Sequence, residues 1–252
     1  VTATMSLTSG LYLVAAIFVW RWPMWKVLPP VCLFLVFDLS FFGANVLKIF
    51  DGGYITLVVA IVITIVFTTW KKGREELKRK LFAGRMSLDD FLSDVARHSM
   101  HRVGGTAVFM TLSPEGVPST LLHHVKHSQV LHEHVILLTI QSVDVPKIED
   151  DQRVDLQSLG QEFYRLTALY GYMETPNIPM IMKLAAKTGM PVDPIKTSFY
   201  LGRETLLTTG TSRMMRWRKN LFALMSRNST NPTTFFGIPP NRVVELGAQV
   251  KL

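Results

Sequence analysis

Charge is almost absent from the first seventy residues, and this constrains the chain more than any motif in it. Residues 1–70 carry 3 of the 27 Lys+Arg and 2 of the 19 Asp+Glu, in three apolar runs at about 1–20, 27–47 and 52–70. At about 1.5 Å rise per residue, some twenty helical residues cross a hydrocarbon layer of roughly 30 Å. Every backbone amide in such a layer needs an internal partner, which helices and closed barrels alone provide. The run at 52–70 is rich in β-branched residues that favour strand in water, but it is about twice as long as a membrane strand of roughly 10 residues. The expectation is three transmembrane helices. A secretory leader is the competing reading of 1–20; it lacks a basic amino-terminal region, and two further apolar runs follow it. The chain begins with Val1 and not Met, so it is also expected to be a piece of something longer.

Composition agrees with a membrane protein: hydrophobic residues make up 48%, charged residues 18%, and the mean hydropathy is +0.24. A single cysteine, Cys32, excludes an internal disulfide framework and zinc sites built on paired thiolates. Orientation follows from the basic residues, which stay on the cytoplasmic side. After the third run come Lys71, Lys72, Arg74, Lys78, Arg79, Lys80 and Arg85 against Glu75 and Glu76; a Trp20, Trp22 and Trp25 cluster marks an interface, and Lys48 lies beside the turn at Asp51. The carboxyl-terminal part is expected in the cytoplasm and residue 1 outside. Pro29 and Pro30 suit the first turn of the second helix, where amides have no intrahelical acceptor.

Asp38 lies near the middle of the second run, where an ionised carboxylate costs roughly 2.5 to 3.5 kcal/mol unless it faces protein or water. Two readings stay open: a step in an ion pathway, or a hydrogen-bonding residue that fixes helix packing, with Asn45 two turns along the same face. Ser6, Gly10, Ser40, Gly43 and Ala44 are small residues of the kind that let helices approach closely.

The remaining residues are expected to form a basic connector at 71–100 and a mixed α/β domain at 101–252. Ser87 is the expected N-cap of a helix with Asp89 and Asp90 in its first turn. Periodicity predicts strands at 106–112, 134–141, 153–159, 163–173 and 199–207, and helices at 119–127, 178–188 and 212–227. Loops are marked by Pro114, Pro118, Pro146, Pro176, Pro191 and Pro194, and Gly84 interrupts the connector. Arg213, Arg216, Arg218, Lys219 and Arg227 stand together without an acid, whereas 86–212 is net −4. Met214, Trp217, Leu221, Leu224 and Met225 form the expected apolar stripe of this basic helix, which reads either as a domain helix or as a surface helix for an anionic leaflet.

Candidate site residues are few. Thr208, Thr209, Gly210, Thr211, Ser212 and Arg213 join a predicted strand to a predicted helix and offer hydroxyls, helix-terminal amides and a guanidinium to a phosphate. The spacing is not that of a P-loop, and a turn leading into an N-capped helix is the plainer reading. His123 and His127 share a helix face, with His132 and His134 beyond, but zinc needs three or four convergent ligands and only Glu133 is near, so no metal is expected. A coupled pH response of these imidazoles is the alternative. No catalytic constellation or cofactor motif is present, and three spans make a nucleic-acid partner a poor fit for the basic charge.

Several blocks together resemble one family. FDLSFFGANVLKIFDGG (37–53), TWKKGR (69–74), RVGGTAVFMT (102–111), LLHHVKHSQVLHEHVILLTI (121–140), YGYMETPNIP (170–179), FYLGRE (199–204), WRKNLFALMSRN (217–228) and FFGIPPNRVVELG (235–247) are similar, in order, to the bacterial Kup potassium uptake permeases. The resemblance implies a potassium transporter of the inner membrane, a potassium:proton symporter, with an inverted-repeat fold like that of amino-acid transporters. It matches this chain to the last three spans and the cytoplasmic domain of such a permease. In that architecture the ion site is built by broken helices early in each repeat, so no potassium ligand carries over and the chain is not expected to transport alone. A homodimer and a cyclic-dinucleotide regulator of the cytoplasmic domain are further expectations the resemblance carries. A three-span membrane-anchored regulatory or ligand-binding protein is the rival reading.

Overall fold

The structure, a computed structural model, describes residues 1–252 except 48, 83–85, 99, 114, 191–192, 194–195, 211 and 231, and the side chain of Asp51. Lys48, Gly84, Arg85, Pro114, Pro191, Pro194 and Thr211 therefore lie outside the described residues. The chain divides into two units, Val1–Thr68 and Thr69–Leu252.

The first unit opens with two helices, α1 (Thr2–Phe18) and α2 (Met24–Leu47), followed by a π-helical turn, Ile49–Gly53, and the start of α3 (Tyr54–Phe82). Ala16 packs with Val27 and Val31, while Ser9 bonds Asp38 further along both helices, so α1 and α2 form an antiparallel hairpin. Arg21 (φ 55°) turns the chain between them, and the Trp22 amide closes the turn on the Ala16 carbonyl. Two helices, Met24–Leu47 and Tyr54–Phe82, are long and apolar enough to cross a membrane; Thr2–Phe18 is apolar but shorter, at 17 residues. Most large apolar side chains of this unit, such as Phe34, Phe41 and Ile61, are exposed to the surroundings.

Two sequence expectations change here. α2 begins about one turn before residue 27, so Pro29 and Pro30 fall in its second turn, where their missing amides leave the carbonyls of Trp25 and Lys26 without the usual helical donor. α3 does not stop near residue 70 but continues to Phe82. Its 29 residues span about 43 Å. The basic stretch 71–82 is thus helix, and α4 (Leu88–Arg97) lies further along the expected connector. There Ser87 Oγ accepts the Asp90 amide at 3.0 Å, with Asp89 and Asp90 in the first turn, as its sequence predicts.

The second unit is built on a six-stranded sheet: β1 (His101–Thr111), β2 (Val130–Val143), β3 (Val154–Gly160), β4 (Phe163–Gly171), β5 (Thr197–Leu207) and β6 (Val243–Lys251), in the order β3-β4-β2-β1-β5-β6. All neighbours are parallel except β3 and β4, which form a hairpin. Gly160, Gln161 and Glu162 all have positive φ in its turn. Helix α5 (Ser119–Ser128) connects β1 to β2, α6 (Ile178–Lys187) lies between β4 and β5, and α7 (Arg216–Arg227) lies between β5 and β6. The short helix α8 (Pro232–Phe235) and a 3-10 turn, Pro240–Arg242, lead into β6.

Side-chain alternation along the strands divides the interior in two. Val108, Ile136, Leu138, Leu166 and Leu201 pack against Ile178, Ile181 and Ala185 of α6. Their neighbours Ala107, Phe109, Val135, Leu137 and Tyr200 pack on the other face against Leu121 of α5 and Leu88, Phe91 and Val95 of α4. α5 and α6 therefore cover opposite faces, and the strand order reverses at β1 and β5. Loops on the α6 side are tied by Arg153, 5% exposed, which donates to Asp150 (3.1 Å), to the Ile148 carbonyl (2.5 Å) and to Glu174 (2.8 Å) and lies over the Tyr170 ring.

A third cluster joins the tail of α3 to α7 and the β5–β6 edge: Leu77, Leu206, Phe222, Ala223, Val250 and Leu252. Phe222 fills the space beside Gly73 so closely that a Cβ there would lie 2.3 Å from the ring. Glycine in a helix interior costs roughly 1 kcal/mol relative to alanine; here it admits a fully buried phenyl ring worth about 2 to 3 kcal/mol. Phe222→Ala is expected to cost about 3–5 kcal/mol. In detergent, the heat-unfolding midpoint of the chain should fall by several degrees, with fluorescence of Trp70, 5.5 Å from the Phe222 ring, as reporter. An unchanged midpoint would remove Phe222 as the support of this cluster.

Candidate functional site

Asp38 meets α1, not Asn45. Its Oδ2 accepts a hydrogen bond from Ser9 Oγ at 2.7 Å, while Asn45 donates back to the Phe41 carbonyl at 2.9 Å and stays exposed. Ser9 was not singled out in the sequence, although it sits three residues after Ser6 on the small-residue face of α1. A hydroxyl donor shared across two helices pins their register, and that is the chemistry this pair displays.

The loop after β5 is placed differently from its sequence expectation. Thr208 and Thr209 turn away from β5, and Gly210 lies against the chain's last residues: a Cβ there would meet the Leu252 carbonyl oxygen at 2.5 Å. The loop does not run directly into a helix, because α7 starts at Arg216 with Met215 at its cap and no capping side chain. Arg213 therefore precedes the helix, and the helix expected from 212 is shorter. The Ser212 hydroxyl is buried without a partner, and Thr211 lies outside the described residues.

The expected apolar stripe of α7 is also rotated. Trp217 is 48% and Leu224 57% exposed, whereas Lys219 is 4% exposed beside Phe222 and Ala223. The cause is the amine of Lys219, which donates to the carbonyls of Gly210 (2.6 Å) and Leu252 (3.0 Å). Two carbonyl acceptors partner the buried ammonium and turn its helix face inward, with Phe222 filling the hollow over Gly73. Lys80 of α3 likewise donates to the Lys251 carbonyl.

The histidines divide as well. His123 and His127 stack 6.1 Å apart on the exposed face of α5. His134 bonds Glu162 at 2.8 Å. The inward histidine is His124, which the i, i+4 reading passed over; its ring lies 5.9 Å from His132 and 4.8 Å from Tyr200, which stacks on Phe109. The alternation that buries Leu121 predicts an inward position three residues on, so this signal was in the helical period. No group of three or more His, Cys, Asp or Glu among the described residues could hold a metal ion.

With this geometry in place, comparison with known proteins decides the family. Residues 1–75 match the K+ potassium transporter integral membrane domain, and residues 104–252 match the K+ potassium transporter C-terminal domain. The chain belongs to the Kup potassium transporter family. It is 55% identical over 252 residues to "Probable potassium transport system protein Kup 2" of Syntrophobacter fumaroxidans (strain DSM 10017 / MPOB), covering all of this chain and 39% of that protein. Kup proteins of Anaeromyxobacter sp. (strain Fw109-5) and Myxococcus xanthus (strain DK1622) are 48% and 46% identical, each over all of this chain and 39% of their own length. The chain thus spans about two-fifths of the curated Kup relatives it matches. No solved structure matches it.

Burial lowers the pKa of His124 below its ordinary 6.5, and burial followed by the nearby His124 charge lowers that of His132. Such histidines resist protonation when folded but not when unfolded, so their contribution is whole above pH 6.5 and is lost as the pH falls below it. Glu174 acts in a lower window: hydrogen bonds from Arg153 and then from the Gly171 amide pull its carboxyl from 4.5 to about 2, so its contribution is lost between those values. Unfolding of the second unit in urea should become easier from pH 7 to pH 5, and His124→Phe should flatten that slope. An unaltered slope in the variant would acquit the His124–His132 pair.

Proposed function

We propose that the chain forms the carboxyl-terminal membrane helices and cytoplasmic domain of a longer permease that takes up potassium together with protons across the inner membrane. The observation that carries this reading is the order of the two family matches, membrane part first, with the first match ending inside α3, whose first half is apolar and whose last turns are basic. α1, at about 26 Å, serves as the first of three spans, at the short end of what a bilayer accepts. The cluster of basic residues after Trp70 favours a cytoplasmic position for the second unit.

Transport by residues 1–252 alone is not expected. An inverted-repeat permease binds its ion between broken helices near the bilayer midplane, and α1 and α2 are continuous apart from their ends. Asp38 acts in this reading as a packing residue that bonds Ser9, with the complete permease, a homodimer included, supplying the cover for the exposed apolar faces. A cyclic dinucleotide at Thr208–Arg213 is the regulatory reading that the loop hydroxyls support, and calorimetry with the detergent-solubilised chain showing no heat would end it.

Potassium uptake in a strain lacking its own uptake systems tests the main reading. The complete gene should restore growth at low potassium, and residues 1–252 alone should not; uptake by the short chain would overturn the division of labour. In the complete protein, Asp38→Asn keeps an acceptor for Ser9 and should leave the pH dependence of uptake unchanged. A shift in that dependence would make Asp38 part of the proton path.

A further inference from the structure

Where β1 and β5 part, the second unit leaves a crevice. Their pairing ends at Phe109↔Tyr200, and the strand order reverses between them, with α5 leaving β1 over one face and α6 reaching β5 from the other. Open parallel sheets offer ligand sites at the carboxyl ends of strands at such a reversal, because neighbouring connections diverge there. A cavity of about 540 Å³ occupies this position, within the range of small-molecule sites.

Three observations give the cavity a chemistry. α5, ten residues long, begins at Ser119 with Pro118 at its cap and no capping side chain, so the amides of Ser119 and Thr120 meet no protein acceptor among the described residues. Thr120 lines the cavity, is 6% exposed, and its Oγ1 has no hydrogen-bond partner. Arg74 and Lys78, one turn apart on α3, line the same cavity, and neither pairs with a carboxylate among the described residues. Gly202 of β5 sets how near α5 comes: a Cβ there would lie 3.1 Å from Thr120 Cγ2.

Helix-terminal amides, a free hydroxyl, a guanidinium and an ammonium around one space suit a phosphate, whose several oxygens accept from all of them. The rest of the lining is largely apolar, including Met110, Ile140, Leu201 and Phe236, with Thr111 and two carboxylates, Glu75 and Glu204, among it. Inorganic phosphate would leave that surface wet. We propose that this crevice binds a phosphate monoester, with the phosphate at the amino terminus of α5 between Arg74 and Lys78 and the ester's apolar body against Met110, Ile140 and Phe236. Glu204 accepts a hydrogen bond from a hydroxyl or amine on that body. The site is distinct from the Thr208–Arg213 loop and does not depend on the transport reading.

Calorimetry on the chain in detergent tests it with phenyl phosphate, inorganic phosphate and phenol. Phenyl phosphate should bind at least roughly tenfold more tightly than either other probe. Thr120→Val, which keeps the side-chain shape, and the double variant Arg74→Gln/Lys78→Gln, at exposed positions, should each weaken it by about tenfold or more while leaving the unfolding midpoint in place. A repeat with dihexanoyl phosphatidic acid separates a lipid from a soluble source: whichever monoester binds more tightly, with the same loss in the variants, names it. No heat at about 10 mM phenyl phosphate, equal binding of phenol, or binding that both variants leave intact would each overturn the proposal.

Discussion

One helix carries this chain out of its apolar segment without a break. α3 satisfies its own amides through the uncharged turns and through the basic ones, so the change of surroundings from lipid-compatible to water-compatible side chains needs no loop. Its last turns are also a structural wall. Leu77 and Gly73 receive Phe222, and with it α7 and the ends of β5 and β6 assemble on the helix. The face one step around presents Arg74 and Lys78 to the crevice at the sheet reversal. An unwound turn across residues 73–78 would therefore disturb a hydrophobic cluster and a cavity together.

Polar groups inside the second unit are handled in two ways. Lys219 is buried and held by two backbone carbonyls, which bind a cation without bringing a second charge indoors, whereas Arg153 is buried on one carbonyl and the carboxylates of Asp150 and Glu174. His124 and His132 are instead kept neutral, since each has a buried ring nitrogen with no partner. Occupied cations hold loops in place across a wide pH range. Neutral imidazoles hold the face between α5 and β5 only while protons are scarce.

Much of this architecture was legible in the sequence, for reasons that differ by element. The strands at β1, β2, β4 and β5 announced themselves because both faces of an interior strand are buried, leaving runs rich in apolar and aromatic residues. β6 escaped notice: it is an edge strand whose Gly247, Ala248 and Gln249 carry little hydrophobic signal. The α7 stripe was misread because an amphipathic pattern assigns lysine outward, and nothing local tells that two distant carbonyls await Lys219. Asp38 was legible as a residue needing a partner, but the partner lay 29 positions away on another helix. The crevice had no sequence signature at all, since Arg74, Thr120 and Gly202 meet only through the sheet order.

That order also sets a timetable. β1 is flanked by β2, which follows within a few tens of residues, and by β5, whose Thr197 partners Thr106 from about ninety residues downstream. At roughly 5–20 residues per second of synthesis, one edge of this interior strand stays open for on the order of 5 to 20 seconds. Val108 and Phe109 spend that interval unsealed, a few turns of chain away from a ribosome that has just delivered three oily helices. Newly made copies crowded on one messenger could join such edges to each other, so the spacing between neighbouring ribosomes becomes a determinant of yield for this fold.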